Sequence, residues 1–365
     1  MGSAMFRRRR LRGAAEWVVG TVCLLTAFTS AVLFLNIAGH SPVRNSHSHV
    51  DTGRNLLSAR FRPVSELLEE ITQSKPSPAK LQEFDKHEFA YQIYNVGNKT
   101  VCTPDTDMLV YIHSATGNFM KRRLLRRTWA SSTKVRGLNV RTVFILGRPE
   151  NVLDQIQINN EQFLFGDIIQ GNFTDGYRNL TNKALIAMGW VDKYCANVKH
   201  VLKADDDIFV NILAIAEKLV PTMNPNNISI ACHLIEAGKS PIERAKSSRW
   251  YVEPQFFPNM THFPRFCSGY MVVMTAKAVK KLHANTKSYP VIKVDDAYMF
   301  GMLTQDLKID FRSITSNLTL FDNDGVKSYE QGERKFLGVA TGKTEVMEKL
   351  WSMVLKDEIE RHRVM

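Results

Sequence analysis

The chain has 365 residues, 44% hydrophobic and 23% charged. That is an ordinary globular composition, long enough for one sizeable catalytic domain, and it excludes a wholly disordered chain. The formal net charge is +12. Part of it is the N-terminal cluster Arg7 to Arg10 and Arg12, and the rest is scattered without a nucleic-acid-binding module, so no nucleic-acid partner is expected.

Residues 1–16 read as a cytoplasmic tail. Trp17 to Ala38 is an apolar run without a charge. As a helix it would be about 33 Å long, enough for a bilayer core. Arginines precede it and no such cluster follows, so everything after Ala38 is expected on the far side of the membrane. The run exceeds the apolar core of a cleaved signal peptide and reads as a single signal anchor. Six Asn-x-Ser/Thr sequons lie beyond it, at Asn98, Asn172, Asn179, Asn227, Asn259 and Asn317. So do Cys102, Cys195, Cys232 and Cys267, which allow two disulfides in three connectivities. Residues 39–104, rich in Ser, Asn, His and Pro, read as a lumenal stem.

An α/β pattern follows. Strands are expected at Met108–Ile112, Val140–Leu146 and Asp167–Gln170, and helices at Asn118–Trp129, Asn151–Gln162 and Tyr177–Tyr194. Alternation of this kind implies a mainly parallel sheet with ligands at the carboxyl ends of its strands. Val198 to Asn211, VKHVLKADDDIFVN, sits at such an end. Three like charges, Asp205, Asp206 and Asp207, lie between apolar runs that want burial, which costs several kcal/mol unless a cation is present. A divalent metal that prefers carboxylate oxygen answers that need, and a solvated acidic turn is the plain alternative.

A helix is expected over Ile212–Leu219 and a strand over Ile228–Cys232. Residues 236–264 form a long loop with Trp250, Tyr251, Phe256, Phe257 and Phe263, either a sugar platform or core filling. A strand at Met271–Met274 and a helix at Ala276–Ala284 follow. Val294-Asp295-Asp296-Ala297 is a second carboxylate cluster opening a helix. The helix dipole favours acids there, and a catalytic base is the functional reading. Glu345–Arg361 reads as an amphipathic helix in a helical tail, residues 331–365, after a catalytic domain at 105–330. Gly342-Lys343-Thr344 lacks the glycine spacing and preceding strand of a phosphate-binding loop.

Taken together, the chain resembles the β1,3-glycosyltransferases of the galactosyltransferase/Fringe type, glycosyltransferase family 31. KRRLLRRTWA (121–130) is similar to the family's RRxAIRxTWG, VFILG (143–147) to VFLLG, and DIIQGNFTDGYRNLTNK (167–183) to DIIxxDFxDSYxNLTxK. VLKADDDIFVN (201–211) resembles VLKxDDDxFVN. RFCSGY (265–270) resembles YCSGxGY with one glycine position missing, and VDDAYMFG (294–301) resembles EDVxxxG. The resemblance covers roughly residues 108–304.

The resemblance implies a GT-A-like, Rossmann-type mixed sheet flanked by helices, an inverting transfer from a UDP-sugar with Mn²⁺, and a Golgi membrane enzyme of type II topology. A glycan on a glycoprotein, glycolipid or proteoglycan is the implied acceptor. It further implies Asp207 as a metal ligand, with Asp205 at the ribose, the metal or its water, and Asp206 shaping the site. Asp296 becomes the base, with Asp295 second. Arg122 and Arg126 are candidates for the uridine or diphosphate, unless they lie on a surface helix, and Tyr177 and Lys183 for the donor site. Galactose is the expected sugar. N-acetylglucosamine, or an inactive chaperone or binding protein, are the alternatives.

Overall fold

The computed structural model describes residues 93–95, 97 and 101–364. The expected cytoplasmic tail, signal anchor and most of the stem lie outside them. Among the described residues no helix is long and apolar enough to cross a membrane. The chain divides into two units, 1–75 and 76–365, and every described residue belongs to the second.

In chain order the first elements are β1 (Ile93–Asn95), β2 (Met108–His113), α1 (Phe119–Leu125), β3 (Lys134–Val135), β4 (Leu138–Arg148), α2 (Val152–Phe165), β5 (Ile168–Thr174), α3 (Leu180–Tyr194), β6 (His200–Asp205) and β7 (Ile208–Val210). Then come α4 (Ile212–Ala214), β8 (Ser229–Ile235), β9 (Phe266–Thr275), α5 (Ala276–Asn285), α6 (Asp295–Phe300), β10 (Asp310–Ser313), β11 (Leu318–Thr319), α7 (Asp322–Glu330), β12 (Gly338–Ala340) and α8 (Thr344–Val364).

The main sheet runs β1-β5-β4-β2-β6-β9-β8-β10, with β3 paired to β4. Strands β5, β4, β2 and β6 are parallel, as the alternating pattern requires. Beyond β6 the expected parallel order ends, because β9 pairs antiparallel with both β6 and β8. The sheet is therefore mixed, and helices cover both faces. Strand β2 shows why: it is buried at every position. Met108, Val110 and Ile112 join a core with α1 and α8, while Leu109 and Tyr111 join one with α3, α5 and α6. A strand buried on both faces reads as a continuous apolar run rather than an alternating one.

Several expected boundaries move. Helix α1 stops at Leu125, and Thr128 turns its hydroxyl back to the Leu124 carbonyl at 3.0 Å before a 3₁₀ turn over Trp129–Ser131. The helix after Asn211 becomes a π-turn at Ile215–Leu219 and ends where Pro221 offers no N–H. Strand β9 starts at Phe266, not Met271, which brings Gly269 into the sheet. A small sheet, β11-β12-β7, is added after residue 317. In it β12 pairs antiparallel with β7, and α8 buries Met347, Leu350, Trp351 and Val354 in the first core. Leu355, expected on that stripe, is instead exposed. Disulfides join Cys102 to Cys195 and Cys232 to Cys267, the second across β8 and β9.

Candidate active site

Strand β6 delivers the first carboxylate cluster. Residues two apart on a strand share a face, so Lys203 and Asp205 lie side by side. Lys203 Nζ is 2.5 Å from Asp205 Oδ1 and also donates to the carbonyl of Gly269 on β9. The lysine side chain is buried. Burial works against its charge, but Asp205, Asp296 and Asp295 outweigh it and raise its pKa. One ammonium therefore joins two carboxylate clusters about ninety residues apart.

The three aspartates take different roles. Asp206 points inward, its side chain 8% exposed, and accepts from Ser114 Oγ (2.7 Å), Asn118 Nδ2 (2.8 Å) and Lys121 Nζ (3.0 Å). It ties the turn to the loop between β2 and α1. Asp207 faces outward, at 52% exposure, and Asp205 is half-buried, at 38%. Asp207 has Lys121 Nζ at 3.6 Å, and its own carbonyl accepts from Thr341 N at 2.7 Å and Thr341 Oγ1 at 2.9 Å. The tail thus packs directly against the turn. Desolvation pushes Asp205 up to about 6, with Lys203 pulling the other way.

The second cluster opens α6. Both carboxyls are pushed up, first by burial; Asp295 further raises Asp296, while Lys203 opposes both. The N–H of Gly269 favours the charged form of Asp296. A Cβ on Gly269 would meet Asp296 Oδ1 at 1.9 Å, so only glycine leaves room for this carboxylate. Gly301 closes the same helix against Phe266, where a Cβ would meet the Ala297 carbonyl at 2.5 Å.

The other four residues expected at the donor each have protein partners. Arg122 is fully buried, not on a surface helix, and each guanidinium N–H has an acceptor: Glu161, Ser114 Oγ, and the carbonyls of Ala115 and Thr116. It has no donor left for a diphosphate. Arg126 forks onto Asp167 with two 2.8 Å bonds, reaches Glu161 at 2.7 Å, and stacks on Phe144 and Phe165. Lys183 is buried between Asp175 (2.8 Å) and the Ser114 carbonyl (2.6 Å), bracing the loop that holds Asp206. Tyr177 stays exposed, its hydroxyl accepting from Trp250 Nε1 at 2.7 Å. A 350 Å³ hollow lined by Arg126, Phe165 and Asp167 includes no residue of either acidic cluster.

Lys203, Lys121 and Gly269 went unassigned in the sequence. The spacing of Lys203 and Asp205 was a readable signal, because a strand puts them on one face. Gly269 needed the fold, since its partner is 27 residues away in sequence.

Among the described residues no three His, Cys, Asp or Glu side chains form a metal cluster. Asp207 and Asp205 still present hard, partly exposed carboxylate oxygens on one turn. Such oxygens would suit Mn²⁺ or Mg²⁺, hard cations that prefer carboxylate ligands.

The galactosyltransferase family model matches residues 120–315. Human beta-1,3-galactosyltransferase 1 is 32% identical over 226 residues, covering 61% of this chain and 67% of that one. Human beta-1,3-galactosyltransferase 5 is 28% identical over 236 residues, covering 63% and 74%. Among solved structures, a glycosyltransferase involved in glycosylation of the major capsid of PBCV-1 is similar over 68% of this chain and 99% of that one, at 9% identity and a TM-score of 0.35. A likeness that faint does not bear on the site.

Proposed function

The chain belongs to the galactosyltransferase family, and from that membership we propose that it is an inverting β1,3-galactosyltransferase using UDP-galactose and a glycan acceptor. The observation that carries this reading is the Lys203 junction, where the Asp205–Asp207 turn and the Asp295–Asp296 helix meet. A single displacement needs two things: charge compensation at a leaving diphosphate and a base at the attacking hydroxyl. The two clusters offer one each.

In this reading Asp207 and Asp205 hold Mn²⁺, which when bound neutralises charge building on the leaving diphosphate. Lys121 bridges Asp206 and Asp207 and sets the angle of that turn. Asp296 takes the proton from the acceptor hydroxyl as its oxygen bonds to the anomeric carbon and UDP departs. Its raised pKa suits the task, because a base titrating nearer neutrality holds an abstracted proton better than an ordinary carboxylate. Asp295 and Lys203 position it. A GT-A-like assignment for the sheet, a Golgi location and a type II signal anchor belong to the same reading. Among the described residues Asn227 and Asn259 are the exposed sequons for lumenal glycosylation, whereas the amides of Asn179 and Asn317 donate to the carbonyls of Thr174 and Lys335.

The test is transfer by the purified chain from UDP-galactose and from UDP-N-acetylglucosamine to a panel of acceptors, with product linkage determined by NMR. Galactose in β1,3 linkage is expected. Preferential use of UDP-N-acetylglucosamine would overturn the donor assignment.

A further inference from the structure

Arg249 lies between two aromatic rings, 4.8 Å from the Tyr177 centroid and 4.1 Å from that of Trp250. The rings are linked by the Trp250 Nε1 to Tyr177 hydroxyl bond, and each is nearly half exposed, at 46% and 47%. Exposed aromatic planes of this size ordinarily seek cover. Stacking fixes the guanidinium plane while leaving its N–H edges open, and among the described residues those edges have no ion pair or protein acceptor. Carboxylates on the neighbouring elements are already taken, Asp175 by Lys183 and Glu253 by Lys293. Arg178 and Lys246 add exposed positive charge.

Two contacts of the cluster's flanking segments lead to the residues just before the second acidic cluster. Tyr177 precedes α3, whose Thr181 Oγ1 donates to the Ile292 carbonyl at 2.7 Å. The strap carrying Trp250 reaches Lys293 through Glu253 at 3.2 Å. Both sides of the cluster are thus tied to Ile292–Lys293, two residues before Asp295.

Aromatic rings take the CH faces of a sugar, and a guanidinium fork takes a carboxylate by paired charge-assisted bonds. We infer that Tyr177, Arg249 and Trp250 form a recognition platform for a carboxylated sugar on the acceptor. This rests on the glycosyltransferase reading for its meaning, but the binding can be measured without transfer.

The full chain, purified in a detergent without a sugar headgroup, is titrated with three disaccharides that differ at one position: a glucuronate, its neutral glucose twin and its 6-sulfated twin. The glucuronate is expected to bind about tenfold more tightly than the neutral twin, the size of one charge-assisted pair at a wet surface. Arg249→Gln is expected to remove that preference while leaving the neutral affinity and the melting temperature unchanged, and Trp250→Ala to weaken all three ligands. Equal binding of uronate and neutral sugar, a preference that survives Arg249→Gln, or sulfate bound as tightly as uronate would each overturn the assignment. UDP binding, measured in the same preparation, reports the donor site separately. A uronate preference without UDP binding would contradict the transferase reading and not the platform.

Discussion

Asp296 is seated against Gly269 so closely that a methyl group on the glycine would fall 1.9 Å from its Oδ1. The carboxylate fills the space a side chain at this point of β9 would take, and Lys203 holds the carbonyl of the same glycine. The position of the candidate base is therefore set by a strand that the sequence pattern starts five residues too late.

Gly269→Ala is expected to drive Asp296 out of place. A displacement of about 1 Å at a reacting group costs on the order of a hundredfold in rate. Transfer should fall by about that factor while UDP affinity stays within twofold, measured by steady-state kinetics and calorimetry. Unchanged transfer would mean that Asp296 need not sit where it does.

Lys203→Met removes the buried ammonium that faces carboxylates of both clusters. Uncompensated buried charge of this kind costs roughly 3–5 kcal/mol. Urea unfolding should show a loss of that size at pH 8 and a smaller one at pH 5, where the raised carboxylates have taken up protons.

The pH dependence of Asp296 has a definite sign. Its pKa is raised in the fold by burial and by Asp295. A carboxyl raised on folding stabilises the protein below its unfolded pKa, and that stability is lost as pH rises through the folded value. Asp296→Asn should therefore raise the melting temperature at pH 8 and leave it unchanged at pH 4. In the unmodified chain kcat/KM should rise with pH through a value well above the ordinary carboxylate range.

Arg122→Lys tests the placement of α1. Lysine cannot reproduce the fork onto Glu161 together with bonds to Ser114, Ala115 and Thr116. The substitution should cost about 3 kcal/mol or more in urea unfolding, as broken buried pairs do. UDP affinity at a temperature where the variant remains folded should change less than threefold.

The parallel half of the sheet was legible because β2, β4 and β6 are apolar runs separated by helix-length segments. The aspartate turn was legible because three charges between buried strands demand a cation. What that cation is was only half legible: Lys203 and Lys121 already answer part of the charge, and they come from a strand face and a neighbouring helix. The sheet β11-β12-β7 was not legible, since strands of two or three residues leave no periodicity. Arg122 and Arg126 were placed by their spacing on one helix face, but spacing cannot say whether that face meets solvent or Glu161 and Asp167.

The most direct test of the central claim is galactosyl transfer by Asp296→Asn, with UDP affinity measured on the same protein. The two clusters acting as one site predict a loss of 10²–10⁴ in kcat, the usual weight of a general base, with UDP affinity retained. Transfer at the unmodified rate by that variant would contradict the claim.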